Sequence, residues 1–220
     1  QVGEQGASLG REGTVAWIVD QRAGEIGGQQ VRRELDAAKL ERERAGDLLH
    51  LDIKKLGRFK QIGHRITGKR NFSRAPGWDF VHVAIDDATR LGYAEILPDE
   101  RKQSAEVFLR RALRWLKRRG VRVEQVMTDN GSAYVSKLFA EALKIADVEH
   151  IRTRPYTPRT NGKAERFIQT LLREWAYAKP YSSSGRRNAA LAPFIGRYNY
   201  RRPHASLDGQ SPADVLSLKR

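Results

Sequence analysis

Three acidic residues stand where a folded chain could bring them to chemical use. Asp52 closes the apolar run Leu48-Leu49-His50-Leu51, Asp129 precedes Asn130-Gly131, and Glu165 lies early in a helix-forming stretch. Three carboxylates gathered ~4 Å apart would repel by about 4 kcal/mol per pair at an effective dielectric of ~20. Such a cluster calls for a cation or a proton. A hard dication suits it, because magnesium takes a few carboxylate oxygens and keeps positions open for water and phosphate. Two such ions ~3.5 to 4 Å apart polarise a water or hydroxyl, orient it in line and stabilise the departing oxygen. The 35 residues between Asp129 and Glu165 carry little weight alone, since with 26 acids in 220 residues a carboxylate falls at any chosen offset about one time in eight. Each acid also has a structural reading: Asp129 as a turn former, Glu165 as a partner of the helix dipole.

The elements around these acids follow from hydrophobic pattern and turn chemistry. Leu48–Ile53 reads as a buried strand, Phe80–Ile85 as a second and Tyr93–Leu97 as a third, together an antiparallel meander. Asp86 and Asp87, before Arg90, are rival acids whose place predicts a turn role. Ser104 is placed to cap a helix whose core residues are Phe108, Ala112, Trp115 and Leu116. Gly120 stops it, a fourth strand spans Val121–Thr128, a helix covers Lys137–Ile145, and a fifth strand lies near Glu149–Thr153. After the proline-containing loop 154–160, a long helix spans Gly162–Ala178. The predicted class is α/β, a mixed five-stranded sheet flanked by helices. Three regions are expected: a leader over 1–46 with no recognisable helix-turn-helix, a core over 47–180 and a helical tail over 181–220.

Charge narrows the partner. With 41 Lys and Arg against 26 Asp and Glu, the formal net charge is +15, which points to a polyanion. Between Ile53 and Trp78 there are eight basic residues and no acid, among them Lys54, Lys55, Arg58, Lys60, Lys69 and Arg70. They begin two residues beyond Asp52, placed to hold phosphates beside it. A second group, including Arg159, Lys163 and Arg166, brackets Glu165. Tyr156 and Asn161 are offered as base or phosphate contacts, with turn and cap roles as alternatives. His50, His82, His150 and His204 are expected to pack or hydrogen-bond rather than ligate. There is no cysteine, so any metal must be held by oxygen or imidazole. No signal peptide or membrane-length apolar run is found, and a cytoplasmic location is expected. The chain starts at Gln1 and its one methionine is Met127, which suggests a fragment, a processed product or an incomplete reading frame.

The flanks of the three acids add what spacing lacks. Leu48-Leu49-His50-Leu51-Asp52-Ile53, Thr128-Asp129-Asn130-Gly131-Ser132 and Pro155-Tyr156-Thr157-Pro158-Arg159-Thr160-Asn161-Gly162-Lys163-Ala164-Glu165-Arg166-Phe167 together resemble the retroviral-integrase superfamily. Within it the likeness is greatest to bacterial insertion-sequence transposases with an Asp, Asp, Glu triad. The later Tyr198-Asn199-Tyr200-Arg201-Arg202-Pro203-His204 and Ser211-Pro212 resemble the tail of those transposases. The resemblance implies a ribonuclease H-like fold in which Asp52, Asp129 and Glu165 converge on two magnesium (or manganese) ions, Asp52 bridging both. It implies cleavage and joining of DNA strands by a homo-oligomer assembled on DNA. The competing expectations are a DNA-binding relic without turnover and a ribonuclease H-type nuclease.

Overall fold

Connection length decides how the strands pair, since two strands joined by a tight turn run antiparallel while a helical crossover returns them parallel. The computed structural model of the protein describes residues 42–60, 68, 77–153 and 161–219. Strand β1 is Leu49–Gly57, β2 is Trp78–Asp86 and β3 is Gly92–Leu97, successive pairs being antiparallel. Helix α1 (Lys102–Lys117) crosses over to β4 (Gln125–Thr128), which lies parallel to β1. Helix α2 (Lys137–Ile145) then leads to β5 (Glu149–Arg152), parallel to β4. The sheet order is β3-β2-β1-β4-β5, the mixed five-stranded sheet that the sequence predicts.

Alternation along β1 gives the sheet two buried faces. Leu49 and Leu51 join Phe108, Leu109 and Leu116 of α1 and Phe139 of α2 in one core. Leu56 joins Val81, Val83 and Ile85 on the opposite face, under helix α3 (Gly162–Leu171) and helix α5 (Leu191–Tyr200). Between those helices come a π-helical turn at Leu172–Ala176 and the short α4 (Ser184–Ala189); α6 (Pro212–Leu218) follows α5. Phe194, Ile195 and Tyr198 of α5 share a core with Phe167 of α3, so the expected tail packs onto the sheet through α3.

Three local expectations shift. Ser104 does not cap α1: Arg101 is the capping position, and Asp99 accepts from Arg101 N–H at 2.9 Å and Ser104 Oγ at 2.7 Å. The fourth strand begins at Gln125 rather than Val121 because Glu124 N–H is taken by the Gly46 carbonyl at 2.8 Å, outside the ladder. Gly46 has φ +91°, and a Cβ there would stand 2.0 Å from the Arg122 carbonyl oxygen, so this approach needs glycine. The long helix keeps its length but changes pitch at Leu172, where the π-turn sets Trp175 to donate through Nε1 to the Arg187 carbonyl at 2.8 Å.

Candidate active site

Strand register brings the first two acids level. The parallel pairing of β1 and β4 matches Leu49 to Val126 and His50 to Met127. Extending it by two residues sets Asp129, just past the end of β4, beside Asp52. Asp52 points to the face covered by α3, the helix that carries Glu165 in its first turn. Asn161, at the start of α3, donates from Nδ2 to the Leu51 carbonyl at 3.0 Å. One helical turn, ~6 Å of rise, separates Asn161 from Glu165. The hydrogen bond therefore fastens the Glu165 turn to the residue preceding Asp52.

The electrostatics register this proximity. Burial pushes the Asp52 carboxyl up to about 6, and the charges of Asp129 and Glu165 push the same way against the Ile53 N–H and Lys54. Burial likewise raises the Tyr134 phenol, helped by Asp52 and Asp129. Backbone donors fix two of the carboxylates: Ile53 N–H meets Asp52 Oδ1 at 2.7 Å, and Gly131 N–H meets Asp129 Oδ1 at 2.9 Å. The turn role expected of Asp129 is thus real and coexists with its place beside Asp52. As a donor set, three carboxylates around a half-buried aspartate suit a hard cation. Their spacing does not close a coordination shell: among the described residues no group of three or more histidine or acidic side chains is near enough to hold a metal ion.

Behind the acids lies a buried polar chain. Asn161 Oδ1 faces His50 Nδ1 at 3.2 Å, His50 Nε2 meets Asp87 Oδ1 at 2.7 Å, and Lys163 Nζ donates to Asp87 Oδ2 at 2.7 Å. Burial would raise the Asp87 carboxyl, but His50, the Arg42 N–H and Lys163 hold it down at about 2. Asp86 fills the turn role expected, accepting from Thr89 N–H and Oγ1 at 2.8 and 2.6 Å, while Asp87 ties β1, β2 and α3 together. The histidines pack or hydrogen-bond as anticipated: His82 against Phe108 and the Asp99 carbonyl, His150 against Phe139 and Thr128, His204 edge-on to Tyr198.

The basic candidates divide by what already holds them. Lys54 and Lys60 are exposed beyond Asp52, and Arg166 is exposed one residue past Glu165. Lys55 pairs with Glu100, and Arg58 pairs with Asp79 at 2.8 Å. Lys163 has its ammonium on Asp87. Lys69, Arg70, Arg159 and Tyr156 lie outside the described residues, as does the leader up to residue 41. Sequence reasoning passed over Arg187, which is buried and donates to Asp79 Oδ2 at 2.8 Å and to the Gly57 carbonyl at 3.2 Å.

Comparison with known proteins now bears on this geometry. Residues 42–158 match the integrase core domain family model, and residues 146–212 match a second model of the same description. The chain belongs to the integrase core domain family. It is 30% identical over 90 residues to the putative transposase InsD for insertion element IS2E of Escherichia coli, covering 41% of this chain and 41% of that protein. It is 24% identical over 151 residues to the putative integrase ORF3 of Spiroplasma virus SpV1-C74, covering 63% and 42%. A third relative, uncharacterized protein K02A2.6 of Caenorhabditis elegans, is 30% identical over 146 residues, 62% of this chain and 11% of that one. The chain thus spans less than half the length of these relatives. The fold is shared with the catalytic core domain of BIV integrase (TM-score 0.53, 17% identity, 79% of this chain and 95% of that one). It is shared also with a chain of the simian T-cell lymphotropic virus intasome in complex with PP2A regulatory subunit B56 gamma (TM-score 0.61, 20% identity, 80% and 56%). These likenesses make the fold ribonuclease H-like, as the sequence motifs imply.

Proposed function

We propose that this integrase core is the catalytic domain of a transposase, cutting DNA strands and joining them to new positions, with Asp52, Asp129 and Glu165 as its acids. The observation that carries the reading is the mutual electrostatic coupling of these three residues, drawn from two strands and a helix far apart in sequence. Asp52 is the central member, since it is the one that burial and both neighbours act upon. Ile53 N–H orients Asp52, Gly131 N–H orients Asp129, and Asn161 holds the first turn of α3 against β1. Two magnesium or manganese ions bound there would supply an activated water or 3′-hydroxyl and stabilise the leaving oxygen. At neutral pH Asp52 is ionised only against burial and the charges of its neighbours, so a cation relieves a real cost in this pocket. Closure of the three carboxylates to ligating distance is expected to accompany the cation.

The DNA backbone would run over the cationic ground beside the acids. Lys54, Lys60 and Arg166 are exposed for phosphate contact; Lys55 and Arg58 would exchange an acidic partner for a phosphate; Lys69, Arg70 and Arg159 complete the proposed set. Lys163 would meet a phosphate while bonded to Asp87.

The test is a gel assay with labelled duplex DNA and magnesium or manganese. The reading expects nicked and joined products, lost in chelator and lost when Asp52, Asp129 or Glu165 is replaced by Asn, Asn or Gln. Products that persist in all three variants would remove these acids from the chemistry. Salt-sensitive DNA binding with no product in either metal would mark a binding relic instead.

A further inference from the structure

On the far side of α3 from the β1 contact lies a cavity of about 470 Å³, within the ~300 to 1,000 Å³ range of small-ligand sites. Its cationic wall combines Arg90 from the β2–β3 turn, Lys163, Arg166 and Arg173 along α3 and its π-turn, and Arg202 after α5. No acid is among its described lining residues. Glu174 lies next to it in sequence, and its ion pairs go to Arg202 at 2.7 Å and Arg197 at 3.9 Å. The floor has another character: Ile85, Phe167 and Tyr198 give it apolar and aromatic surface, with His204 beside them. His204 is 7% exposed, and its Nε2 is buried without a hydrogen-bond partner among the described residues. Burial, then the Arg202 charge, pushes that imidazole down, so at neutral pH one ring nitrogen keeps a lone pair.

A bare phosphate would use the cationic wall and leave the floor idle. A purely apolar ligand would leave the arginines unanswered. A nucleotide uses both, placing phosphate on the arginines and base on the aromatic floor, with a base N–H available to an imidazole lone pair. We infer that this cavity accepts an unpaired nucleotide of the DNA strand that passes Glu165. The inference rests on the proposed action on DNA and adds to it a site that prefers a frayed or single-stranded end over continuous duplex. Arg166 joins the two regions, being next to Glu165 and in the cavity wall.

The test is fluorescence anisotropy in chelator with the whole chain and two labelled probes of equal duplex length, one blunt and one carrying a short single-stranded extension. The expected result is about tenfold tighter binding of the extended probe, the scale of one base stacked on an aromatic side chain. Arg173→Ala, at an exposed position, and His204→Ala should each bring the two probes within about twofold of one another. Lys54→Ala, away from the cavity, should weaken both probes alike and keep the preference. Because His204 is buried, a loss seen only in His204→Ala together with a lowered Tm counts as unfolding, and Arg173→Ala then decides. Equal binding of both probes by the unaltered chain, or a preference that survives Arg173→Ala, overturns the nucleotide site. Failure of the unaltered chain to bind either probe would instead strike at the proposed action on DNA.

Discussion

Replacing Asp52 by Asn should stabilise the metal-free protein while abolishing its chemistry. The Asp52 carboxyl ionises in the fold at about 6 against an ordinary value of 3.8, because burial and the charges of Asp129 and Glu165 oppose its charge. The folded state therefore holds this proton more tightly than the unfolded chain does. Stability contributed by the group is full below pH ~4, falls as pH rises through 6 and is flat above. A shift of about two pKa units corresponds to about 3 kcal/mol. Asparagine keeps the oxygen that accepts the Ile53 N–H and carries no charge at any pH. Asp52→Asn should thus match the wild type near pH 4 and exceed it by up to about 3 kcal/mol at pH 8, roughly 6 to 12 °C in Tm for a domain of this size. Thermal unfolding in chelator at pH 4, 5, 6, 7 and 8 reads this directly. A difference that does not grow between pH 4 and 6, or a variant less stable than wild type at pH 8, would refute the claim that neighbouring carboxylates burden Asp52.

Other perturbations probe the scaffold. Asn161→Ala removes the bond to the Leu51 carbonyl and should cost about 1 to 3 kcal/mol. Its product yield should fall well below that expected from the unfolded fraction, and unchanged turnover per folded molecule would show that Glu165 needs no such fastening. In Gly92→Ala the new Cβ would lie 2.6 Å from Phe167 Cζ and 3.0 Å from Tyr198 Cε1, so overpacking of about 1 to 3 kcal/mol should lower the urea midpoint. An unmoved midpoint would mean that α3 and α5 yield freely. Arg187→Met leaves Asp79 buried beside Arg58 alone and should cost about 3 to 5 kcal/mol, largely recovered in Arg187→Met with Asp79→Asn. Equal losses in the single and double variants would show that the buried pair is not the cause.

How far these features can be read from sequence depends on whether their causes are local. Strand runs such as Phe80–Ile85 and helix stops such as Gly120 carry their reasons within a few residues, and the sheet follows from them with edges moved by a residue or two. Gly46 is what ends the fourth strand early, and its partner Arg122 is 76 positions away, beyond any local pattern. Asp52, Asp129 and Glu165 stand out because short flanking motifs mark them. The polar chain from Asn161 to Asp87 has no such mark, as it joins positions 111 and 37 apart through His50. Charge counting picked out Lys163 for phosphate and treated Asp87 as a turn former, without sight of the contact between them across 76 positions. Arg187 was passed over because a buried arginine in a basic chain resembles every exposed one until its carboxylate partner is known.

A crystal soaked in manganese, with anomalous scattering recorded at the metal edge, tests the central claim most directly. The account predicts anomalous density ringed by the carboxylates of Asp52, Asp129 and Glu165, drawn closer than in the metal-free protein. Ions bound elsewhere while these three side chains stay apart would contradict it.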